Sequence, residues 1–192
     1  MKKLSPLKLD IVISFIASLV LSLGMAALQP APFFSAWYGA FLLLWLSFFL
    51  LLRTWRYFDG GRVLAALILV TFFTRLLLGL FIHTALPVIG FDNEAENAGY
   101  MYSDAYVRDT QSLALARSEA PLTSAFGEES IDQYGGLMFL SATVYRYFSL
   151  DEARPLFITI LAALTMTVGL TFLFDAIHRR WGVKVALAAG WF

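Results

Sequence analysis

The sequence predicts an all-α protein, a polytopic bundle of transmembrane helices with an outer loop that carries amphipathic, interfacial helices. Three observations predict it. Hydrophobic residues make up 59% of the chain and charged residues 15%, against roughly 25% charged in an ordinary soluble domain. Long apolar runs recur, each near the ~20 residues that cross a hydrocarbon core. Lys and Arg gather in short stretches between those runs, whereas Asp and Glu gather in one long stretch. Lys plus Arg and Asp plus Glu number 14 each, so the charge balance points away from nucleic acid and from a strongly acidic partner. The chain has no cysteine, which excludes disulfides, thiolate metal sites and a cysteine nucleophile and leaves the redox compartment unread.

The first apolar run, residues 11–27, ends at Gln29-Pro30-Ala31-Pro32, residues that do not readily continue a helix. Lys2, Lys3 and Lys8 before it would also suit the basic region of a signal peptide. Further spans follow at once and Gln-Pro-Ala-Pro is a poor cleavage context, so the run is read as a span. The second and third spans are residues 34–52 and 63–83, joined by a short basic loop, 53–62, that holds Arg53, Arg56 and Arg62. Short loops rich in Lys and Arg remain in the cytoplasm. The N-terminus is therefore expected inside, with the third span leading outward, in a multi-pass protein of the plasma membrane. Trp37, Trp55 and Trp181 fall near predicted span ends, where interfacial aromatics collect.

Residues 87–154 form the acidic outer loop. It ends in an apolar segment, 135–148, that is too short for a comfortable crossing and suits an interfacial helix. Charge decides the reading: with 135–148 lying in the outer interface, the fourth span, 155–177, brings His178, Arg179, Arg180 and Lys184 to the inside. Residues 185–192 read as the start of a further span, so the remainder of a longer polypeptide is expected after Phe192. The chain thus divides into residues 1–62, two spans and a cytoplasmic basic loop, and residues 63–192, the opening of a membrane core.

Few residues could carry chemistry. Arg75 lies near mid-membrane in Thr71-Phe-Phe-Thr-Arg75, where a guanidinium is costly unless it faces a bundle interior, a wet cavity or an anion. Asp104 stands at the start of an outer helix on which Tyr106, Thr110, Leu113 and Arg117 share a face. On spacing alone, Ser103 or Asp104 is a helix cap and Asp104 an i,i+4 partner of Arg108. Asp104 and Asp109 lie about 140° apart around that helix and do not form a paired-carboxylate site. Asp132 and Tyr134 lead into Gly135-Gly136, a local signature of a turn or of close backbone approach, with a plain helix entry the first local reading. His83 and His178 fall at opposite span ends, and no cluster has metal-ligand spacing. A divalent metal or other cofactor is not indicated.

The order Thr74-Arg75-Leu76-Leu77, Ser103-Asp104-Ala105-Tyr106, Leu113-Ala-Leu-Ala116, the segment Tyr134 to Phe148, Ala153-Arg154-Pro155 and Arg179-Arg180-Trp181-Gly182 resembles the N-terminal region of GT-C glycosyltransferases. These are the polytopic enzymes that use polyprenyl-phosphate sugars, protein mannosyltransferases and aminoarabinose transferases among them. The resemblance covers residues 63–192. Two spans precede the family's usual start, and Asp104 is followed by Ala105 where the family often has Asp-Glu. The resemblance implies a membrane glycosyltransferase that moves a sugar from a polyprenyl-phosphate donor to an acceptor at the outer membrane face. It implies Asp104 as the base and Arg75, Tyr106, Asp132 and Tyr134 as substrate-binding residues. It also implies that this length of chain is inactive alone. The rival reading is a noncatalytic polytopic membrane protein, a transporter or an assembly subunit, although several polar mid-membrane positions would then be expected and only Arg75 is one.

Overall fold

A computed structural model describes residues 5–29, 32–59, 61–127, 135–150 and 152–191. The described chain is all-α. Its helices are α1 (Pro6–Ala27), α2 (Phe33–Tyr57), α3 (Arg62–Ile89), α4 (Glu94–Asn97), α5 (Ser103–Arg117), α6 (Gly136–Tyr147), α7 (Pro155–Trp181) and α8 (Val183–Trp191), with a 3₁₀ turn at Leu122–Phe126. Among the described residues, α1, α2, α3 and α7 are long and apolar enough to cross a membrane.

Two span boundaries differ from the sequence reading. Helix α2 continues to Tyr57, so Arg53, Thr54, Trp55 and Arg56 stand on helix and only a tight turn precedes α3. The cause is a partner on α1: Arg56 donates from Nε to Asp10 Oδ1 at 2.7 Å and Arg53 lies 3.7 Å from Asp10 Oδ2. An ion pair holding the last turn favours its remaining helical, and Arg56 also suits the negative end of the helix dipole. Helix α3 likewise runs past His83 and through Pro87 to Ile89. Pro87 costs one i→i−4 bond, to the carbonyl of His83, which faces the outer loop instead.

Helix α7 is the hub, packed against α2, α3 and α8, while α1 lies along α2. Phe72, Leu76, Phe157, Ile160 and Ala163 share the core with Leu43 and Leu44 of α2. The α1–α2 seam is built from small residues: Ser14, Ser18 and Ser22 on α1 and Ala36, Ala40 and Ser47 on α2, all buried. The serines return their hydroxyls to carbonyls of their own helix. Ile16, Val20 and Leu23 point outward. A polar seam inside and an apolar rim outside is the packing expected where lipid, not water, is the solvent.

The described part of segment 87–154 folds onto one end of this bundle, the cleft end; Arg53, Arg56, Arg62, Arg179 and Arg180 mark the opposite, basic end. Helices α5 and α6 pair with the 3₁₀ turn around Leu115, Ala125 and Ala142. Helix α6 has 12 residues, a length of ~18 Å that is short of a ~30 Å hydrocarbon core. Its first residues meet Ala125 and its last turn meets α5, so both of its ends stay in this layer. Gly135, buried at the start of α6, has φ +65°, and a Cβ there would lie 2.3 Å from the Ala125 carbonyl oxygen. Gly135 is at once the entry to α6, a left-handed turn and a close backbone approach, so the three local readings of the Gly-Gly pair meet there. At the loop's end, Arg154 Nη2 donates to Ser35 Oγ at 2.8 Å and to the Pro32 carbonyl at 3.2 Å, which ties the cleft ends of α7 and α2 together.

Candidate functional site

Helix α5 begins after Tyr102, whose side chain makes no capping bond. Ser103 and Asp104 are therefore first-turn residues rather than caps, and the acid at that place suits the positive end of the helix. The face that α5 buries is Asp109, Ser112, Leu115 and Ala116, not the face through Tyr106, Thr110, Leu113 and Arg117. Thr110 and Arg117 are exposed and Tyr106 is half-buried against the ring of Tyr100, 5.6 Å between centroids. The inward face of α5 carries a carboxylate.

That carboxylate is Asp109. It is 9% exposed, accepts a hydrogen bond from the Tyr100 hydroxyl at 2.5 Å on Oδ2 and accepts another from the Tyr145 hydroxyl on Oδ1. Burial pushes its carboxyl pKa up, and the two hydroxyls, Arg108 and His83 pull it back in part. Burial, followed by the Asp109 charge, pushes both phenols upward, so Tyr100 and Tyr145 keep their protons and act as donors. Three elements, the α4–α5 connection, α5 and α6, are thereby pinned at one carboxylate.

Arg146, one residue on, pins the other end of α5. Its Nη2 donates to the carbonyls of Leu115 at 2.6 Å, Ser118 at 2.9 Å and Ala120 at 3.2 Å, and Nε donates to Ala116 at 3.0 Å. The last carbonyls of a helix have no partner within it, and a guanidinium supplies both the donors and the charge that suits that end.

Asp109 borders a cleft of about 340 Å³ between α3, α5, α6 and α7, within the size range of small-ligand sites. His83, Tyr102, Arg108 and Asp109 give it a polar side; Ile82, Leu137, Ile158 and Ala162 give it an apolar one. Gly99, at φ +82°, closes its rim on α3: a Cβ there would lie 2.4 Å from His83 Nδ1. Asp104 is exposed and precedes Ala105, which lines the cleft. Arg75 is exposed too and lies on the α3 face of Gly79 and Ile82, about 6 Å deeper than Gly79. Asp132 and Tyr134 lie outside the described residues. Among the described residues, no group of three His, Asp or Glu could hold a metal ion. No protein-family model, curated protein or solved structure matches the chain.

Sequence reasoning ranked Asp109 below Asp104 and passed over Tyr145 and Arg146. One signal was present: a polar triplet, Tyr145-Arg146-Tyr147, inside an otherwise apolar segment, each member of which needs a partner if buried.

Proposed function

We propose that this chain belongs to a membrane glycosyltransferase that takes a sugar from a polyprenyl-phosphate donor. The observation that carries the reading is the cleft itself. A donor with an apolar tail and a charged sugar-phosphate head needs a site at the membrane surface whose walls are apolar on one side and polar on the other. The cleft at the ends of α3 and α7 brings apolar and polar lining together, with a cation and a carboxylate at hand.

In this reading the acceptor hydroxyl attacks the anomeric carbon while the bond from that carbon to the phosphate oxygen breaks. The acceptor's proton passes to Asp104 as general base. The electron pair leaves with the polyprenyl phosphate, whose charge is met by cationic groups. Arg108 lines the cleft and is the nearer candidate for that charge. Arg75 leans away, because helical side chains tilt toward the N-terminus of their helix and that of α3 is at the basic end. A supporting role beneath the cleft suits it better. Asp109 has both oxygens engaged by tyrosines and serves as a positioning residue rather than a base.

Asp104→Asn tests the assignment in membranes carrying the full-length polypeptide and supplied with a panel of radiolabelled polyprenyl-phosphate sugars. Loss of a general base is expected to lower transfer by ~10²–10⁴-fold with abundance unchanged. Wild-type transfer by the variant would reduce Asp104 to a first-turn acid.

A further inference from the structure

A second cavity lies at the basic end, remote from the cleft. It has about 380 Å³, separates α1 and α2 from α3, and is lined by Ile13, Ala17, Leu52, Trp55, Ala65 and Leu69 with almost no polar surface. Its deep end is closed by rings: Phe48 packs on Phe72 at 5.6 Å and on Phe73 at 6.3 Å. From Ala65 to Phe73 the groove follows α3 for about 12 Å, close to the depth of one leaflet of a ~30 Å hydrocarbon core.

The open end is basic. Arg62 is exposed and borders the pocket between α3 and α7, and by helical register it stands one turn before Ala65 on the face that continues to Leu69. Arg53 and Arg56 share the single carboxylate of Asp10, itself one turn before the groove-lining Ser14, and the Arg53 side chain is still 48% exposed. With Lys8, these cations outnumber Asp10 and Asp59. Trp55, which borders the groove, donates from Nε1 to the Gly61 carbonyl at 3.3 Å and so fixes the rim.

We propose that this groove seats one acyl chain of an anionic phospholipid whose phosphate is met by Arg62 and the exposed edge of Arg53. The shape selects the occupant. A transmembrane helix, ~10 Å across and spanning the whole core, cannot continue past the plug of Phe48, Phe72 and Phe73. An acyl chain of one leaflet stops there. The excess of cations at the mouth selects an anionic headgroup over a zwitterionic one.

A ligand that binds the folded state alone raises its apparent stability with concentration, so thermal unfolding in neutral detergent is the readout. Phosphatidylglycerol is expected to raise the midpoint saturably, phosphatidylcholine with the same chains to raise it by less than half as much, and glycerol phosphate to leave it unchanged. Arg62→Gln, at an exposed position, should narrow the difference between the two lipids. Ala65→Phe, which fills the groove, should abolish the response to both, and Ala17→Leu serves if that variant folds poorly. Equal shifts by both lipids in the unmodified protein, or a full response after the groove is filled, would overturn the proposal. So would a protein that elutes as a dimer, is dissociated by Ala65→Phe and ignores added lipid, since the groove would then be an interface between copies.

Discussion

Asp109, Tyr100 and Tyr145 are 9 and 36 residues apart in sequence around one carboxylate, and their chemistry makes two expectations. Tyr145→Phe leaves a buried carboxylate oxygen without its donor, which costs on the order of 1–3 kcal/mol; a fall in the unfolding midpoint without loss of helix content would show it. The second is a pH dependence. The Asp109 pKa is raised above its ordinary 3.8 by burial, so its contribution to stability is fully present below that value and is lost as pH rises through the folded value. Amide exchange in α5 and α6, corrected for intrinsic rates, is therefore expected to be slower in mild acid than at neutral pH. Asp109→Asn should flatten that dependence; an unchanged profile would place the titrating group elsewhere. At this scale the sequence was least legible. Asp104 and Asp109 look alike as acids in a polar helix, and what separates them is Tyr145, a residue whose proximity only the tertiary fold creates.

Elements were far more legible. Four long apolar runs and one short one appear as α1, α2, α3, α7 and α6, because the length of an apolar run and the ~20-residue thickness of the core are both written in the sequence. The ends were not, since they depend on partners. Arg56 stays helical because Asp10 on α1 holds it, and α3 outlasts Pro87 because a proline in the last turns removes one bond only. Two joints of the outer layer can be tested directly. Gly135→Ala forces a left-handed φ on a residue with a Cβ and drives that Cβ onto the Ala125 carbonyl. A loss of ~1–3 kcal/mol is expected from the two effects together, and its absence would mean that the 3₁₀ turn and α6 are not packed as described. Arg146→Leu removes charged donors from four carbonyls at the end of α5. Such bonds contribute ~1.5–3 kcal/mol each to stability, so limited proteolysis after Arg117 should accelerate; Arg146→Lys should recover the stability only in part, because an ammonium lacks the planar fork.

For the whole molecule, the bundle has two chemically different ends. Arg53, Arg56, Arg62, Arg179 and Arg180 collect at one, and the acidic layer of α4, α5 and α6 with its cleft collects at the other. An even number of crossings between the first basic group and the last requires α6 to lie in the layer rather than cross, and the close approach of Gly135 to Ala125 at its start and the Arg146 bonds at its end agree. If the positive-inside bias orients the bundle, Asp104 faces the outside, where a polyprenyl-phosphate sugar would be used in the proposed reaction. Because the chain contains no cysteine, single introduced thiols report sidedness without further change. The most direct measurement is labelling of Asp104→Cys and Lys184→Cys variants in sealed right-side-out vesicles with a membrane-impermeant maleimide. The account predicts that the thiol at position 104 labels from outside and the thiol at position 184 labels only after the membrane is opened; labelling of both from the same side would contradict it.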